Sequence, residues 1–230
     1  MQTLAVPRWL PLLLAFVAGT IDACTFLALF GLFVAQVTGS FVLVGVTAMT
    51  GHSAIIARLL AIPVFFLVGV ATVFIAVPLR RPARAFAVTL AVELMLVVCF
   101  ALLGFAGEPF RSADAPLAVA ASLFGVAAMG VQSALVRLLM SGSHSTNVMT
   151  TNTSQAAVDV GQWIIAFARG EDRADANRKL AALIPILAGF FIGTLAGAFG
   201  LRWIGFRFLA VPVLLLAGAI AWAARTGWKS

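Results

Sequence analysis

The sequence predicts an all-α polytopic integral membrane protein, and its composition and its segment pattern both support this class. Of 230 residues, 63% are hydrophobic and only 10% are charged. The mean hydropathy is +1.11, far above the range of soluble domains. Apolar runs of membrane-spanning length occupy nearly the whole chain, with short turns between them and no room for a further soluble domain. We therefore predict a single membrane domain over residues 1–230.

Turn residues divide the chain into apolar segments at about 9–33, 37–50, 55–79, 86–106, 115–140, 146–168, 180–200 and 206–225. Six of these segments have the length and composition of ordinary spanning helices. The segment at 37–50 is short and the one at 146–168 is polar, so we interpret both as short broken or re-entrant helices. The alternative is that both segments cross the membrane, which gives eight spans.

The distribution of Lys and Arg favours six spans with both termini in the cytoplasm. In the six-span arrangement the cytoplasmic side holds eleven of these residues and the other side four, whereas eight spans divide them nine to six. Because Lys and Arg concentrate on the cytoplasmic side of membrane proteins, the six-span topology, which has the stronger bias, is favoured over the eight-span topology. The net charge of +7 comes from residues at helix ends. No basic aromatic surface indicates a nucleic-acid partner.

The two halves of the chain share a pattern that predicts an internal repeat, with one unit at about 9–112 and the other at about 113–228. In each half an apolar helix carries one polar residue, Asp22 or Gln132, and a short polar break follows it. Later segments match in the same order, Phe66-Leu67-Val68-Gly69 with Phe190-Phe191-Ile192-Gly193. Three spans per half would make the repeats inverted, which we predict, and four would make them parallel.

Polar residues at the two breaks predict a binding site for a small polar solute or an ion. Polar backbone at membrane depth persists only where it is buried in protein or lines a watery cavity. Hydroxyl, amide and carboxylate groups can replace the hydration shell of a solute or coordinate a cation. The candidate site residues are Asp22, Thr38, Gly39, Ser40, Gln132, Thr150, Thr151, Asn152, Gln155 and Asp159. The alternative is that these groups only bond neighbouring backbone.

Three acidic residues, Asp22, Glu93 and Asp159, lie inside apolar segments. An ionised carboxylate costs roughly 2.5–3.5 kcal/mol there on insertion scales, so each needs a reason. We predict that Asp22 binds a coupling proton or cation; alternatively, Arg137 or a helix N-terminus holds it structurally. Glu93 has apolar neighbours and is a candidate for protonation and for a bond to another helix. Asp159 either shares the cavity or lies at the water interface.

The remaining motifs indicate packing and exclude most chemistry. Glycines spaced by four residues lie along one helix face and predict close helix packing, at Gly189, Gly193 and Gly197. Cys24 and Cys99 lie in apolar runs and read as buried hydrophobes. With only His52 and His144 and no nucleophile-elbow spacing, neither a catalytic triad nor a metal site is supported. We predict that the protein is not an enzyme and has no metal or cofactor.

The motifs of the two halves resemble a known family. Ala18 to Ala23 with Val37 to Ser40, and Ala128 to Ser133 with the Thr/Asn-rich break after it, are similar to the bacterial YoaK-like membrane proteins of domain of unknown function 1275. The resemblance covers nearly the full chain. Ser40 and Ser133 stand where the family pattern has Asn, and Thr151 replaces a glycine. The resemblance implies a multi-pass protein of the bacterial cytoplasmic (inner) membrane and leaves the function to the residues.

We predict a transporter or channel for a small polar solute or an ion, with a midplane site formed at the interface of the repeats. Asp22 would bind the coupling ion, and Gln132 with the two breaks would hold the solute. The alternative is a membrane scaffold or interaction protein that transports nothing. Expected partners are the solute or ion and membrane lipids, and a homo-oligomer is compatible with the sequence. Substrate, coupling ion and oligomeric state are not encoded in any motif.

Overall fold

In the computed structural model the chain folds into a helical bundle, and residues 7–50, 55–140 and 142–226, which the structure describes, contain no β-strand. The helices are α1 (Trp9–Ala28), α2 (Val37–Thr50), α3 (Ile55–Ala76), α4 (Pro82–Gly107), α5 (Pro116–Leu139), α6 (Met149–Arg169), α7 (Ala174–Ile204) and α8 (Ala210–Thr226), with a 3₁₀ helix (Gly205–Leu209) before α8. Among the described residues, five stretches are long and apolar enough to cross a membrane: α1, α3, α4, α5 and Ala174–Arg225. The all-α membrane-type fold is thereby confirmed.

Helix α7 begins earlier than its apolar segment, which changes the interpretation of the charged stretch at 170–179. The sequence marks this stretch as a solvated turn, but α7 starts at Ala174. Asp175 lies in the first turn, where a carboxylate is favourable, and forms ion pairs with Arg178 at 2.8 Å and Lys179 at 2.7 Å. Local charge pairing therefore extends the helix beyond the apolar part of α7.

Helices α1 and α5 occupy the centre of the bundle. Twelve of the 20 residues of α1 and 14 of the 24 residues of α5 are buried. Helix α1 packs along α7 and also contacts α8, whereas α5 packs against α4 and α3. The central helices carry Asp22 and Gln132, both of which are buried. Their position in the bundle, rather than local sequence, removes these two polar side chains from lipid.

Glycines bring α7 into backbone contact with α1. A Cβ atom at Gly189 would lie 2.5 Å from the Leu12 carbonyl oxygen, and one at Gly197 would lie 2.6 Å from that of Thr20. Gly193, between them, has the carbonyl of Phe16 against it. These contacts advance in the same direction along both helices, which means that α1 and α7 run parallel. Only glycine permits this separation, because any side chain would overlap the facing backbone.

The two central helices run in opposite directions. Gln132 Nε2 donates to the Leu14 carbonyl oxygen at 3.0 Å. Further along, a Cβ atom at Gly125 would lie 3.4 Å from Thr25 Cγ2. The contacts therefore advance along α1 as they go back along α5, which makes the pair antiparallel.

Candidate functional site

The polar break predicted at residues 37–40 is helical, since these residues form the first turn of α2. The irregular segment lies just before it, between α1 and α2, and this segment, called the first break from here on, is held to α1 by Asp22. Its Oδ1 accepts hydrogen bonds from the backbone N–H groups of Val34 at 2.8 Å and Ala35 at 2.9 Å. Both residues are buried. A buried backbone N–H group needs an acceptor, and outside a helix no carbonyl of the preceding turn is available to it. Asp22 thus satisfies two donors of the break, while Arg137, the cation considered for it from sequence, is exposed in the last turn of α5.

A sharp reversal after α1 brings the chain back into the bundle. Phe30 and Gly31 have φ values of 57° and 78°, which lie in the left-handed region that ends helices. Arg58, early in α3, donates through Nη2 to the Phe30 carbonyl at 2.9 Å and through Nη1 to Thr47 Oγ1 near the end of α2. The ends of α1 and α2 and the start of α3 therefore meet in one place.

The polar break predicted at residues 149–152 is likewise helical and forms the first turn of α6. The irregular segment before it, between α5 and α6, is called the second break from here on and is held by Gln132 and by amide side chains. Gln132 Nε2 donates to Thr146 Oγ1 at 2.8 Å in addition to its bond to α1. Asn147 Nδ2 donates to Ser133 Oγ at 2.6 Å, and Asn152 Nδ2 to the Ser145 carbonyl at 2.6 Å. The polar residue of α5 thus binds the break after it, as Asp22 of α1 does in the first half.

The two breaks approach each other at the middle of α5. In the first break, Val34 Cγ1 would lie 3.5 Å from a Cβ atom at Gly125. In the second, Asn147 Nδ2 donates to the Met129 carbonyl at 3.3 Å. Gly125 and Met129 are one helical turn apart, about 6 Å along the axis. Irregular backbone from both halves is therefore buried at the same depth, and α2 and α6 both begin there.

Several buried polar atoms near the breaks have no hydrogen-bond partner among the described residues. They include Ser40 Oγ in the first turn of α2 and Gln132 Oε1 on α5. Glu93 Oε1 and Oε2 on α4 and Asp159 Oδ2 on α6 are in the same state. Because an unpaired buried polar atom is costly, native proteins leave few of them without a ligand, ion or water. Of these atoms, Ser40 Oγ lies next to the first break and Gln132 Oε1 next to the second.

The structure divides the candidate residues predicted from sequence into two groups. Those buried around the breaks are Asp22, Ser40, Gln132 and Asn152, with half-buried Gly39 beside them. Those exposed on the bundle surface are Thr38, Thr150, Thr151 and Gln155. Asp159 is buried but lies on α6 about two turns after Asn152, where Gln155 Nε2 donates to its Oδ1 at 2.9 Å.

Two residues of the second break, Thr146 and Asn147, are wholly buried and were not selected from the sequence. Their position in the second half matches that of Val34 and Ala35 in the first. That match is the signal that could have identified them, but the first break uses backbone donors where the second uses side chains.

Residues 7–50, 55–140 and 142–226 hold no group of three or more His, Cys, Asp or Glu that could bind a metal ion. Of the two histidines, His52 lies outside the described residues and His144 is half-buried between α5 and α6. The expectation that the protein is not an enzyme stays a prediction.

A family model described as protein of unknown function (DUF1275) matches residues 10–222. The chain belongs to this family. The match covers both halves of the DUF1275 chain, including both breaks and the helices that hold them, and it confirms the family resemblance of the sequence motifs. No curated protein and no solved structure matches the chain. The site of this DUF1275 protein must accordingly be interpreted from its own geometry.

Proposed function

We propose that the protein moves a small polar solute or an ion across the bacterial cytoplasmic membrane, through a site where the two breaks meet on α5. The observation that carries this proposal is that Val34 of the first break and Asn147 of the second are buried against α5, at positions one helical turn apart. Irregular backbone at membrane depth is a recurrent feature of transporter sites, where broken helix ends present dipoles and free polar groups to the ligand.

The contacts at α2 support a six-span topology. Arg58 bonds both Phe30, just after α1, and Thr47, near the end of α2. A fully crossing α2 would end beside the start of α1 instead. The contact favours a re-entrant segment: the first break enters the bundle as far as the middle of α5, and α2 then returns to the side where α1 ends.

The helix directions support an inverted repeat. In a six-span chain α1 and α5 run in opposite directions and α1 and α7 in the same direction, which is what their contacts require. In an eight-span chain α1 and α5 would be parallel. The close contacts are also reciprocal. Gly19 of α1 faces the Phe190 carbonyl of α7, and a Cβ atom at Gly130 of α5 would lie 3.2 Å from the Phe65 carbonyl oxygen of α3. Each half thus inserts its first helix against the third helix of the other.

The start of α2 provides the clearest ligand contact. Ser40 Oγ is buried and unpartnered in the first turn of this helix. The N-terminal end of a helix carries partial positive charge and free N–H groups. Asp22 accepts hydrogen bonds from the first break, which directly precedes α2. The combination suits a solute with both a donor and an acceptor, or a cation bound by Asp22.

Topology can be tested with single cysteines in a background with Cys24 and Cys99 replaced by alanine. Six spans predict that Met49→Cys and Arg111→Cys react with a membrane-impermeant maleimide from outside and that Glu171→Cys reacts only from the cytoplasm. All three positions are exposed in the structure. Eight spans would put all three cysteines on the same side, and that labelling pattern would refute the re-entrant arrangement.

Ligand binding can be tested by a thermal-shift screen of the purified protein against small polar solutes and cations. A ligand that binds the folded state raises the apparent melting temperature. At a hundredfold excess over Kd it adds about 2.7 kcal/mol to the free energy of unfolding. We expect one such ligand for the wild type, with its shift lost in Asp22→Asn and Asn152→Ala. Thr153→Ala, on the exposed face of α6, is the matched control and should respond like the wild type.

The same screen separates transport from the scaffold alternative. The scaffold alternative would use α6, which packs mainly on α7 and exposes large apolar residues, among them Ile164 and Phe167. A scaffold predicts that no solute stabilises the protein. It also predicts that substitutions on this α6 face, rather than at Asp22, change assembly. A solute that shifts the wild type and is carried into proteoliposomes would decide for transport.

A further inference from the structure

Glu93 is a wholly buried carboxyl on α4 that the proposed solute site does not use. Its side chain has 0% exposure, and neither of its oxygens has a hydrogen-bond partner among the described residues. It lies on the buried stripe of α4, with Leu90 one turn before it and Val97 one turn after it. A carboxylate in such surroundings requires a cation, a donor or a proton.

The packing of α4 on α5 brings Glu93 to the level of Gln132. A Cβ atom at Gly107 would lie 3.0 Å from Leu117 Cδ2, and one at Gly125 would lie 3.8 Å from Phe100 Cδ2, so the two helices are antiparallel. Glu93 precedes Phe100 by seven residues, and Gln132 follows Gly125 by seven. Seven residues are two turns, about 10.5 Å along the axis, and return to nearly the same helix face. By this register Glu93 and Gln132 lie at one level of the α4–α5 pair, and both are wholly buried there.

The hydrogen bonds of Gln132 leave an acceptor for this neighbour. Its Nε2 is fully used, donating to the Leu14 carbonyl at 3.0 Å and to Thr146 Oγ1 at 2.8 Å. Its Oε1 is buried and has no partner among the described residues. An amide oxygen accepts hydrogen bonds and cannot donate. An ionised Glu93 would present only acceptors to this oxygen, whereas a protonated Glu93 would supply the missing donor.

Charged groups on the elements around α4 do not replace the proton. The elements packed against it are α3, α5, α8 and the 3₁₀ helix. Their titratable groups are Arg58, Arg137, Arg225 and Arg207. The last three are exposed, and Arg58 donates to Phe30 and Thr47. On α4 itself, Arg84 is exposed more than two turns away, and Cys99 carries no positive charge. Glu93 therefore faces no cation among the described residues.

We infer that Glu93 and Gln132 form a proton-binding pair in the membrane interior, in which the Glu93 O–H donates to Gln132 Oε1. When the proton leaves to water, the carboxylate faces a carbonyl oxygen and repels it. Turning the Gln132 amide then presents Nε2 to the carboxylate and breaks the bonds from Nε2 to Leu14 and Thr146. Loss of the proton therefore releases Thr146 of the second break from α5, while Asn147 still bonds Met129 and Ser133, and rebinding restores the Thr146 bond.

This pair deepens the proposed function, on which its role in coupling rests: the proton becomes the coupling ion and Glu93 its binding residue. Asp22 is then left to hold the first break. The protonation itself does not depend on transport, because it follows from the burial of Glu93 with no cation facing it among the described residues. The two claims can therefore fail separately.

Infrared spectroscopy of the full-length protein in lipid nanodiscs tests the proton directly. We expect a protonated-carboxyl band at neutral pH that shifts in D₂O and is lost in Glu93→Gln. The band should persist in Asp22→Asn and Asp159→Asn, which remove the other buried acids. In Gln132→Leu it should move to the frequency of a carboxyl without an acceptor. A spectrum unchanged by Glu93→Gln, or a band position unchanged by Gln132→Leu, would overturn the pair.

Hydrogen exchange tests the release of the second break. After correction for the intrinsic pH dependence of exchange, residues 142–148 of the wild type should exchange at least several-fold faster at alkaline pH. Glu93→Gln, which cannot ionise, should lose this difference while retaining wild-type helix content. Equal pH dependence in both proteins would contradict the switch. If the carboxyl band and the switch are present but no solute flux follows a pH gradient, the proton pair stands and proton-coupled transport fails.

Discussion

Replacing Gly193 by alanine is expected to lower the free energy of unfolding by about 1–3 kcal/mol, the range for overpacking a close contact. The added Cβ would overlap the Phe16 backbone, and backbone cannot move aside as a flexible side chain can. Relief requires α1 and α7 to separate, which also strains the bond from Thr20 Oγ1 to the Gly193 carbonyl at 3.1 Å. Unfolding in mixed micelles of increasing denaturing detergent measures this change.

Gly69→Ala is the matched control for this substitution. Gly69 is the counterpart of Gly193 in the sequence repeat, but a Cβ atom there meets nothing within 4 Å. Alanine favours helix over glycine by up to about 1 kcal/mol, so the control should be as stable as the wild type or more so. Equal stability of the two variants would mean that the α1–α7 approach does not limit the fold.

Replacing Asp22 by leucine is expected to lower the free energy of unfolding by about 2–6 kcal/mol. Leucine fills similar space but leaves the N–H groups of Val34 and Ala35 without the acceptor Oδ1, at about 1–3 kcal/mol for each buried donor. The first break should then detach from α1. The detergent-unfolding assay measures the stability, and protease sensitivity between α1 and α2 reports the local release.

Asp22→Asn separates the structural role of this residue from ion binding. The asparagine Oδ1 can still accept both hydrogen bonds, so stability should fall by much less than in the leucine variant. If Asp22 also binds a cation, Asp22→Asn loses cation-dependent stabilisation while keeping its fold. A leucine variant as stable as the wild type would show that the break does not depend on the carboxylate.

The sequence predicted most helices because their signals are local. Long apolar runs mark α1, α3, α4 and α5, and the turn residues between them mark their ends. The short helix at 37–50 was also anticipated with its boundaries. The start of α7 was missed because apolar content defined the segment, whereas ion pairing of Asp175 begins the helix.

The candidate site was predicted less completely, since a sequence pattern does not show which face of a membrane helix is buried. In a membrane protein the lipid-facing side is also apolar, and the usual amphipathic signal is therefore weak. Thr150, Thr151 and Gln155 belong to the same polar cluster as Asn152, yet they are exposed and Asn152 is buried. Glu93 was recognised as unusual, but its partner helix could not be assigned.

By itself the sequence determined the class of the protein, the place of its helices, its family and the two polar residues that precede the breaks, because hydropathy, turns and motifs depend on neighbouring residues. Only the tertiary structure decided that Asp22 binds backbone, that both breaks meet on α5 and that Glu93 is wholly buried at the level of Gln132. These contacts join residues that are far apart in the chain. They depend on the register in which buried helices pack, which glycine contacts and interhelical hydrogen bonds set once the bundle has formed.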